Sequence, residues 1–308
     1  MTSSLSNISG VICAVISSAS FGLIPLFSIS LLESGVDMPT ILFYRFAVAG
    51  AMMAVVMLLM GHSFRLDFRD FMTIIWLSVL YAATAIMLLA SYEDIPSGVA
   101  TTIHFLYPLA VTLIMSIFFK ERASITTFLA VAVSLAGVAL LTWGNHSTGN
   151  YQHGVMLVLI TVITYALYIV GVMKSRASRI NSVVLTFYVL SFGALFFFIY
   201  ALTTTGVESI HRWACWRDII MLALLCTVLS DFTLILAIKR IGSTMTSILG
   251  SMEPMTAVIV GVLYFDERFD VVSIVGLLLI VVAVVLVIVQ SRDETEGSTA
   301  AGHPPKLN

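Results

Sequence analysis

The chain has 308 residues, of which 59% are hydrophobic and only 10% charged, against roughly a quarter charged in a soluble globular domain. So much apolar side chain has no place to hide in a water-soluble fold, which leaves lipid as the solvent. The formal net charge is -2 and Lys and Arg form no long run, so a nucleic-acid partner is excluded.

Residues 1–10 lack the basic stretch that opens a secretory signal, and the apolar run after them is too long for a cleaved core, so it reads as a retained first span. Windows of about twenty apolar residues, each able to cross the ~30 Å hydrocarbon layer as helix, then recur along the chain. In the first half, residues 1–147, the predicted spans are 8–32, 39–60, 71–91, 97–119 and 126–143. In the second half, residues 148–290, they are 154–173, 183–204, 218–238, 243–265 and 271–290. The tail, 291–308, is polar with Gly, Pro and charge; it has nothing to bury and is expected to be disordered in the cytoplasm. Loops this short leave no room for a soluble catalytic domain, so any chemistry sits inside the bundle. The three cysteines, Cys13, Cys215 and Cys226, form no CxxC pair or Cys/His cluster, so they read as small apolar fillers and no metal site or cofactor is expected.

Ten spans put both termini on one side. With the termini inside, the cytoplasmic segments carry eleven Lys and Arg, among them Arg65, Arg69, Lys174, Arg176 and Arg179, and the outer loops carry three, Arg212, Arg217 and Arg268. That bias orients the protein with cytoplasmic N- and C-termini.

A shift of 146 residues lays the fourth span on the ninth: Ile95 falls on Ile241, Ser97 on Ser243, Thr101 on Ser247, Pro108 on Pro254, Phe119 on Phe265, Glu121 on Glu267 and Arg122 on Arg268. With an odd number of spans per half, the two copies insert in opposite directions, an inverted repeat. The expected fold class is therefore an all-α membrane protein, ten transmembrane helices as two inverted five-helix repeats around a central cavity. Such halves can rock between inward-open and outward-open states of nearly equal energy, which is the basis of alternating access.

The stretches IPSGVATT from Ile95, LYP from Leu106 and FKER from Phe119, answered by IGST from Ile241, MEP from Met252 and FDER from Phe265, resemble the EamA-type members of the drug/metabolite transporter superfamily. The resemblance covers nearly the whole chain, each half looking like one EamA repeat. It implies a ten-helix carrier with a central solute cavity and cytoplasmic termini in a bacterial inner membrane. Superfamily cargo ranges over amino acids, other metabolites, drugs, nucleotide sugars and lipid-linked sugars. The first span lacks the embedded Glu with which small multidrug-resistance relatives exchange protons for drug cations, so that mechanism does not carry over.

Inside the spans, each ionisable group costs about 2.5 to 3.5 kcal/mol on insertion scales and so needs a partner or a use. Asp231, in the eighth span beside Ser230 and Thr233, reads as a substrate or proton site or as an interhelical anchor. Glu253 precedes Pro254 in the ninth span where the first repeat has Tyr107, so the halves diverge where cargo would be read; the same Glu-Pro pair recurs across the resembled family whatever the substrate, which implies a role in the scaffold or gate instead. His104 reads as a ligand or as a hydrogen-bonded interior histidine. Arg45, near the outer end of the second span, reads as a headgroup-seeking side chain or as a partner for an anionic group on the solute or for Asp231. Tyr44, Tyr81, Tyr107, Tyr165 and Tyr168 are candidates to stack on an apolar solute, and Ser247 and Ser251 to line the cavity.

Pro25, Pro108 and Pro254 with Gly250 are hinge candidates, because a proline frees the carbonyl four residues back: His104 for Pro108, Gly250 for Pro254. There is no GxxxxGK[ST] loop for ATP and no HExxH or Ser/His/Asp spacing for catalysis. The expectation is a secondary carrier or facilitator for amino acids or related metabolites, working in export, with a small-molecule solute, the lipid bilayer and a coupling proton or other ion as partners; monomer and homodimer stay open. Its rivals are an intramembrane enzyme or receptor using His104, Asp231 and Glu253, and, within transport, a lipid-linked sugar flippase.

Overall fold

The computed structural model describes residues 2–119, 150–250, 252–267 and 270–300, with scattered positions between 129 and 140; side chains are described over these ranges except at 2–7, 238–239, 242–245, 247–248, 284 and 287–300. Among the described residues every regular element is helical: α1 (Thr2–Phe21), α2 (Ile24–Glu33), α3 (Met38–Leu59), α4 (Phe68–Ser91), α5 (Ser97–His104), α6 (Tyr107–Phe119), α7 (Tyr151–Lys174), α8 (Ser182–Thr203), α9 (Trp213–Ala223), α10 (Ser230–Leu249), α11 (Met252–Tyr264) and α12 (Val271–Ala300). A 3₁₀ turn, Arg176–Arg179, follows α7, and a π-helical turn, Leu224–Leu229, joins α9 to α10.

Among the described residues, seven stretches are long and apolar enough to cross a membrane: Ile8–Glu33, Met38–Leu59, Phe68–Ser91, Ser97–Phe119, Tyr151–Lys174, Ser182–Thr203 and Trp213–Ala237. They match the first four expected spans and the sixth to eighth. The shorter apolar helices Met252–Tyr264 and Val271–Ala283 fall in the expected ninth and tenth, while most of the expected fifth, 126–143, lies outside the described residues. This is an all-α, multi-span membrane fold. Its outward faces carry large apolar side chains in the open, Leu59, Trp76, Phe118 and Leu263 among them, a surface that suits hydrocarbon and not water.

Two boundaries differ from the sequence reading. Helical backbone continues through 239–242, where a loop between the eighth and ninth spans was expected. The last helix runs to Ala300, ten residues into the tail expected to be disordered, because Arg292, Glu294 and Glu296 are residues of good helix propensity; 301–308 lie outside the described residues.

The ends of the spans are set by local chemistry. Asp37 caps α3, its carboxylate accepting from the Thr40 N–H at 3.1 Å, and Asn181 caps α8 through the Val183 N–H at 2.9 Å. Gly35 and Gly61 end α2 and α3 with φ of 84° and 68°, the left-handed turn that lets the next N–H, of Val36 or His62, reach back to the carbonyl of Leu31 or Met57. Within the bundle, α3 and α8 approach closely: a Cβ on Gly193 would sit 2.5 Å from the Phe46 ring, so only glycine admits that ring.

Both ends of α4 are tied to the second half. At one, Arg176 donates to Asp70 at 2.6 Å and to Asp67 at 3.1 Å, and the Asp70 hydrogen bond holds the Arg176 guanidinium's pKa above its ordinary value. At the other, His153 Nδ1 lies 2.7 Å from the Asp94 carboxylate.

Three expected spans are broken in mid-course rather than straight. The first breaks at 22–23, the fourth at 105–106 and the ninth at Gly250, a turn residue after Leu249. Each restarts beside a proline: Pro25 is the second residue of α2, Pro108 the second of α6 and Pro254 the third of α11. Proline is well tolerated in a first turn, where its missing N–H would have no partner anyway. The three prolines therefore mark restarts of helix rather than bends within one.

Candidate functional site

The breaks converge. At the first, Gly22 packs onto the ninth: a Cβ there would sit 2.5 Å from the Glu253 carbonyl oxygen and 2.6 Å from the Thr256 Cβ, and one turn earlier Ser18 Oγ donates to the Leu249 carbonyl at 2.8 Å. The half-helix α5, which ends at the break of the fourth span, packs against α11. Where they meet is a small, partly open cavity of about 30 Å³, lined by Phe21 and Ile24 from the first break, His104 from the fourth, Glu253 from the ninth, Arg45 from α3, Tyr81, Thr84 and Leu88 from α4 and Tyr165 from α7. The mix of apolar wall and a few placed polar groups is that of a small-molecule site.

Arg45 is buried, at 5% exposure, and does not reach for the headgroups as its position in the sequence suggested. Its Nε donates to Thr227 Oγ1 at 2.9 Å and its guanidinium lies 5.5 Å from the Phe46 ring centroid. Among the described residues no carboxylate comes within 4 Å of it. Glu253, at 6% exposure, presents an acidic side chain to the same cavity, and its carboxyl makes no hydrogen bond among the described residues. Its main-chain N–H does: it donates to the Gly250 carbonyl at 2.9 Å. Gly250 is thus no exposed acceptor, contrary to the reading from Pro254, because the turn at the break takes up the carbonyl that proline left free. At the fourth span the loss stands, since no backbone turn hydrogen bond among the described residues reaches the His104 carbonyl.

His104 Nδ1 lies 2.8 Å from Thr161 Oγ1. That hydroxyl spends its proton on the Val158 carbonyl at 2.6 Å, so it accepts from His104, which assigns the proton to Nδ1 and leaves Nε2 as an acceptor. Asp231 is spoken for: the Tyr81 hydroxyl sits 3.0 Å from each carboxylate oxygen, tying α4 to α10, and Asp231 does not line the cavity. This is the anchor reading of Asp231.

The tyrosines divide. Tyr81, Tyr168, Tyr165 and Tyr107 form a continuous aromatic seam with His104, with ring centroids 5.1 Å apart for Tyr81 and Tyr168 and 4.8 Å apart for Tyr107 and Tyr165. Tyr81 and Tyr165 reach the cavity and the other two support them. Tyr44 belongs elsewhere. Its ring packs on Trp216 and its hydroxyl lies 3.4 Å from the Glu208 carbonyl, at the mouth of the bundle. The side chain of Ser247 and the whole of Ser251 lie outside the described residues.

Thr227 and Thr161, which hold the cavity's cation and its histidine, were not found by sequence reasoning. A lone threonine in an apolar span carries no signal, and the π turn that aims Thr227 at Arg45 has no sequence signature. Glu267 was read only as a topology marker. Its carboxylate accepts from the Ser97 N–H at 2.7 Å, the Ser97 hydroxyl at 2.6 Å and the Gly98 N–H at 3.2 Å, so it caps the first turn of α5.

A polytopic helical bundle in which broken helices enclose a polar-lined cavity is the architecture of a membrane carrier. The chain belongs to the EamA-like transporter family, whose model matches it twice, over residues 8–143 and 152–289. It is therefore a transporter of the drug/metabolite superfamily and not an enzyme. It is 24% identical over 246 residues to the "Uncharacterized inner membrane transporter YedA" of Escherichia coli K12, the match covering 79% of each chain. It is 22% identical over 191 residues to the "Uncharacterized transporter YetK" of Bacillus subtilis, covering 60% of this chain and 58% of that one. A solved chain described as "Crystal structure of protein" superposes with a TM-score of 0.69 at 15% identity, covering 92% of this chain and 97% of that one; at that identity the likeness speaks for the fold alone.

Proposed function

We propose that this protein is a secondary carrier for small amphoteric metabolites, amino acids or their close relatives, working in the direction of export by alternating access. In this reading it has ten spans in two oppositely inserted five-helix halves, residues 1–147 and 148–290, with both termini in the cytoplasm. The excess of Lys and Arg in alternate loops supports the orientation, and the name of YedA supports an inner-membrane location.

One observation carries the choice of cargo. Arg45 and Glu253, one basic and one acidic, are both buried, without a protein counter-ion within reach among the described residues, and line one cavity. A buried charge left alone is expensive. A solute bearing both a carboxylate and an ammonium group satisfies both at once, and the seam of Tyr81 and Tyr165 offers its side chain an aromatic wall.

The test is counterflow in liposomes. Vesicles holding the purified protein and loaded with unlabelled amino acids are expected to accumulate labelled amino acid from outside, unmodified, faster than protein-free vesicles. Failure to exchange any amino acid or amino-acid derivative would refute the reading.

A further inference from the structure

Arg45 is held in one orientation by a distortion of the helix opposite. An ordinary α-helix does not present Thr227 as it stands here. In the π-helical turn Leu224–Leu229 its hydroxyl donates to the Leu222 carbonyl, five residues back, at 3.0 Å. With its proton so used, Thr227 Oγ1 is left to accept, and it accepts from Arg45 Nε at 2.9 Å. Thr227 is wholly buried. Extra residues in a helical turn strain the ladder and persist mostly where a site uses them.

A guanidinium is a planar fork of donors. Fixing Nε on Thr227, with Phe46 along the guanidinium at 5.5 Å, leaves the two terminal nitrogens as the free tines. Arg45 lines the cavity, and these nitrogens meet no carboxylate within 4 Å among the described residues. Asp231 is engaged by Tyr81, Glu253 stands at the cavity wall without pairing, and His104 presents an acceptor, Nε2, that does not bind an anion. Around the cavity the groups left without a partner among the described residues are the Glu253 carboxyl and the pair of donors on Arg45, and only the donors suit an anion.

We infer that the two terminal nitrogens of Arg45 bind the solute's carboxylate as a bidentate fork, and that Thr227, through the π turn, is the residue that positions it. This rests on the carrier reading above and adds where the anionic group goes and what aims the receptor. A fork needs orientation as well as charge, which lysine does not supply.

The experiment uses the full chain in detergent and in liposomes, with each of the twenty common L-amino acids paired against its own amide, which keeps the amine and the side chain and removes the anion. Thermal stabilisation and counterflow competition are read for each pair. The acid is expected to act at concentrations about tenfold to a hundredfold below its amide, the worth of a hydrogen-bonded charge. Arg45→Gln should erase that ratio and Arg45→Lys should cut it sharply. Thr227→Val, nearly the same in shape, should lower the ratio while melting as a folded protein, and Thr227→Ser should restore it; a merely structural threonine would change the melting temperature and leave the ratio alone. Acids and amides acting alike in the parent protein, or an undiminished ratio in Arg45→Gln, overturns the inference. So does a screen in which no acid acts. If amides or amines still exchange in those vesicles, the carrier reading survives and only the anion fork is lost; if nothing exchanges, the carrier reading fails first.

Discussion

The fourth and ninth spans are the same device built twice, and they differ at one residue that matters. In each, a helix stops, the chain turns, and helix resumes beside a proline, Pro108 in one and Pro254 in the other. The residue before the proline is Tyr107 in the fourth span and Glu253 in the ninth. Tyr107 is packed among His104, Phe105 and Tyr165, with ring centroids 4.8 to 6.0 Å away; Glu253 stands on the cavity with no partner for its carboxyl among the described residues. The break is common property and sets the shape. The copies have parted at the pre-proline position, and under the carrier proposal that position, more than the proline, is where cargo would be read.

The sharpest way to break that comparison is to equalise the two positions. Glu253→Gln keeps the volume and removes the charge, and counterflow of amino acids is expected to fall about a hundredfold, as for a lost charged hydrogen bond or more, with the melting temperature unchanged or raised because an unpaired buried charge has been removed. Tyr107→Phe takes only a hydroxyl from the matching site and should cost no more than a few-fold. Equal loss in both variants would mean that the two breaks are structural alike.

Next in size is the contact between the first break and the ninth. Gly22→Ala puts a methyl group 2.5 Å from the Glu253 carbonyl, and backbone at that distance must move. Overpacking of this kind costs about 1–3 kcal/mol, read as a lower melting temperature. Because what moves is the turn carrying Glu253, flux should drop further than stability alone explains. Gly35→Ala, at a positive φ with open space around it, is the control: it is strained but remote from the cavity, and should lower stability and leave the half-saturation concentration alone.

How much of this was legible in the sequence follows from the kind of signal each part leaves. The spans are written in apolar runs, and the prolines in a repeat that survives a shift of 146 residues. Arg45, Glu253, His104, Tyr81 and Tyr165 stand out as polar residues in oil, and all five line the cavity. What the sequence does not write is direction. Arg45 lies close enough to a helix end to be read as reaching for headgroups, and only the packing of α3 against the π turn shows it pointing inward. Tyr44, its neighbour in sequence, points the other way, to the mouth of the bundle. Gly250 looked like a free acceptor because its i+4 partner is proline; the Glu253 N–H, three residues on, takes the bond instead. Pairings such as His104 with Thr161 join residues 57 apart, beyond the reach of any local pattern.

A smaller effect is expected from the prolines themselves. Each sits in the first turn of a resumed helix, where it forbids nothing the restart needs, and what it does prevent is closure of the break into continuous helix. Pro108→Ala and Pro254→Ala should therefore slow turnover by a few-fold and leave acid-over-amide preference intact. The fourth span should respond more, because a restored N–H at 108 finds the His104 carbonyl open, whereas the Gly250 carbonyl is already engaged. Equal slowing in both would argue that closure of the break is not what the prolines oppose.

The smallest effect is at the cap that joins the two spans. Glu267, after the end of α11, reaches back to the first turn of α5, and it can do so because Gly261 has no side chain in the way: a Cβ there would lie 2.3 Å from the Glu267 carboxylate. Asp266, at a φ of 51°, turns the chain for that return. A carboxylate at a helix N-terminus satisfies donors that have no partner within the helix and meets the positive end of its dipole, worth about 1 kcal/mol. Glu267→Gln keeps an acceptor and loses the charge, so hydrogen exchange at Ser97 and Gly98 should quicken by about two- to fivefold, on the order of 0.5–1 kcal/mol. Binding at the cavity, which the cap does not touch, should hold. Since α5 is the half-helix that carries His104, any change in flux should appear in turnover and not in half-saturation; a shifted half-saturation would show that the cap positions the cavity wall as well as the end of the span.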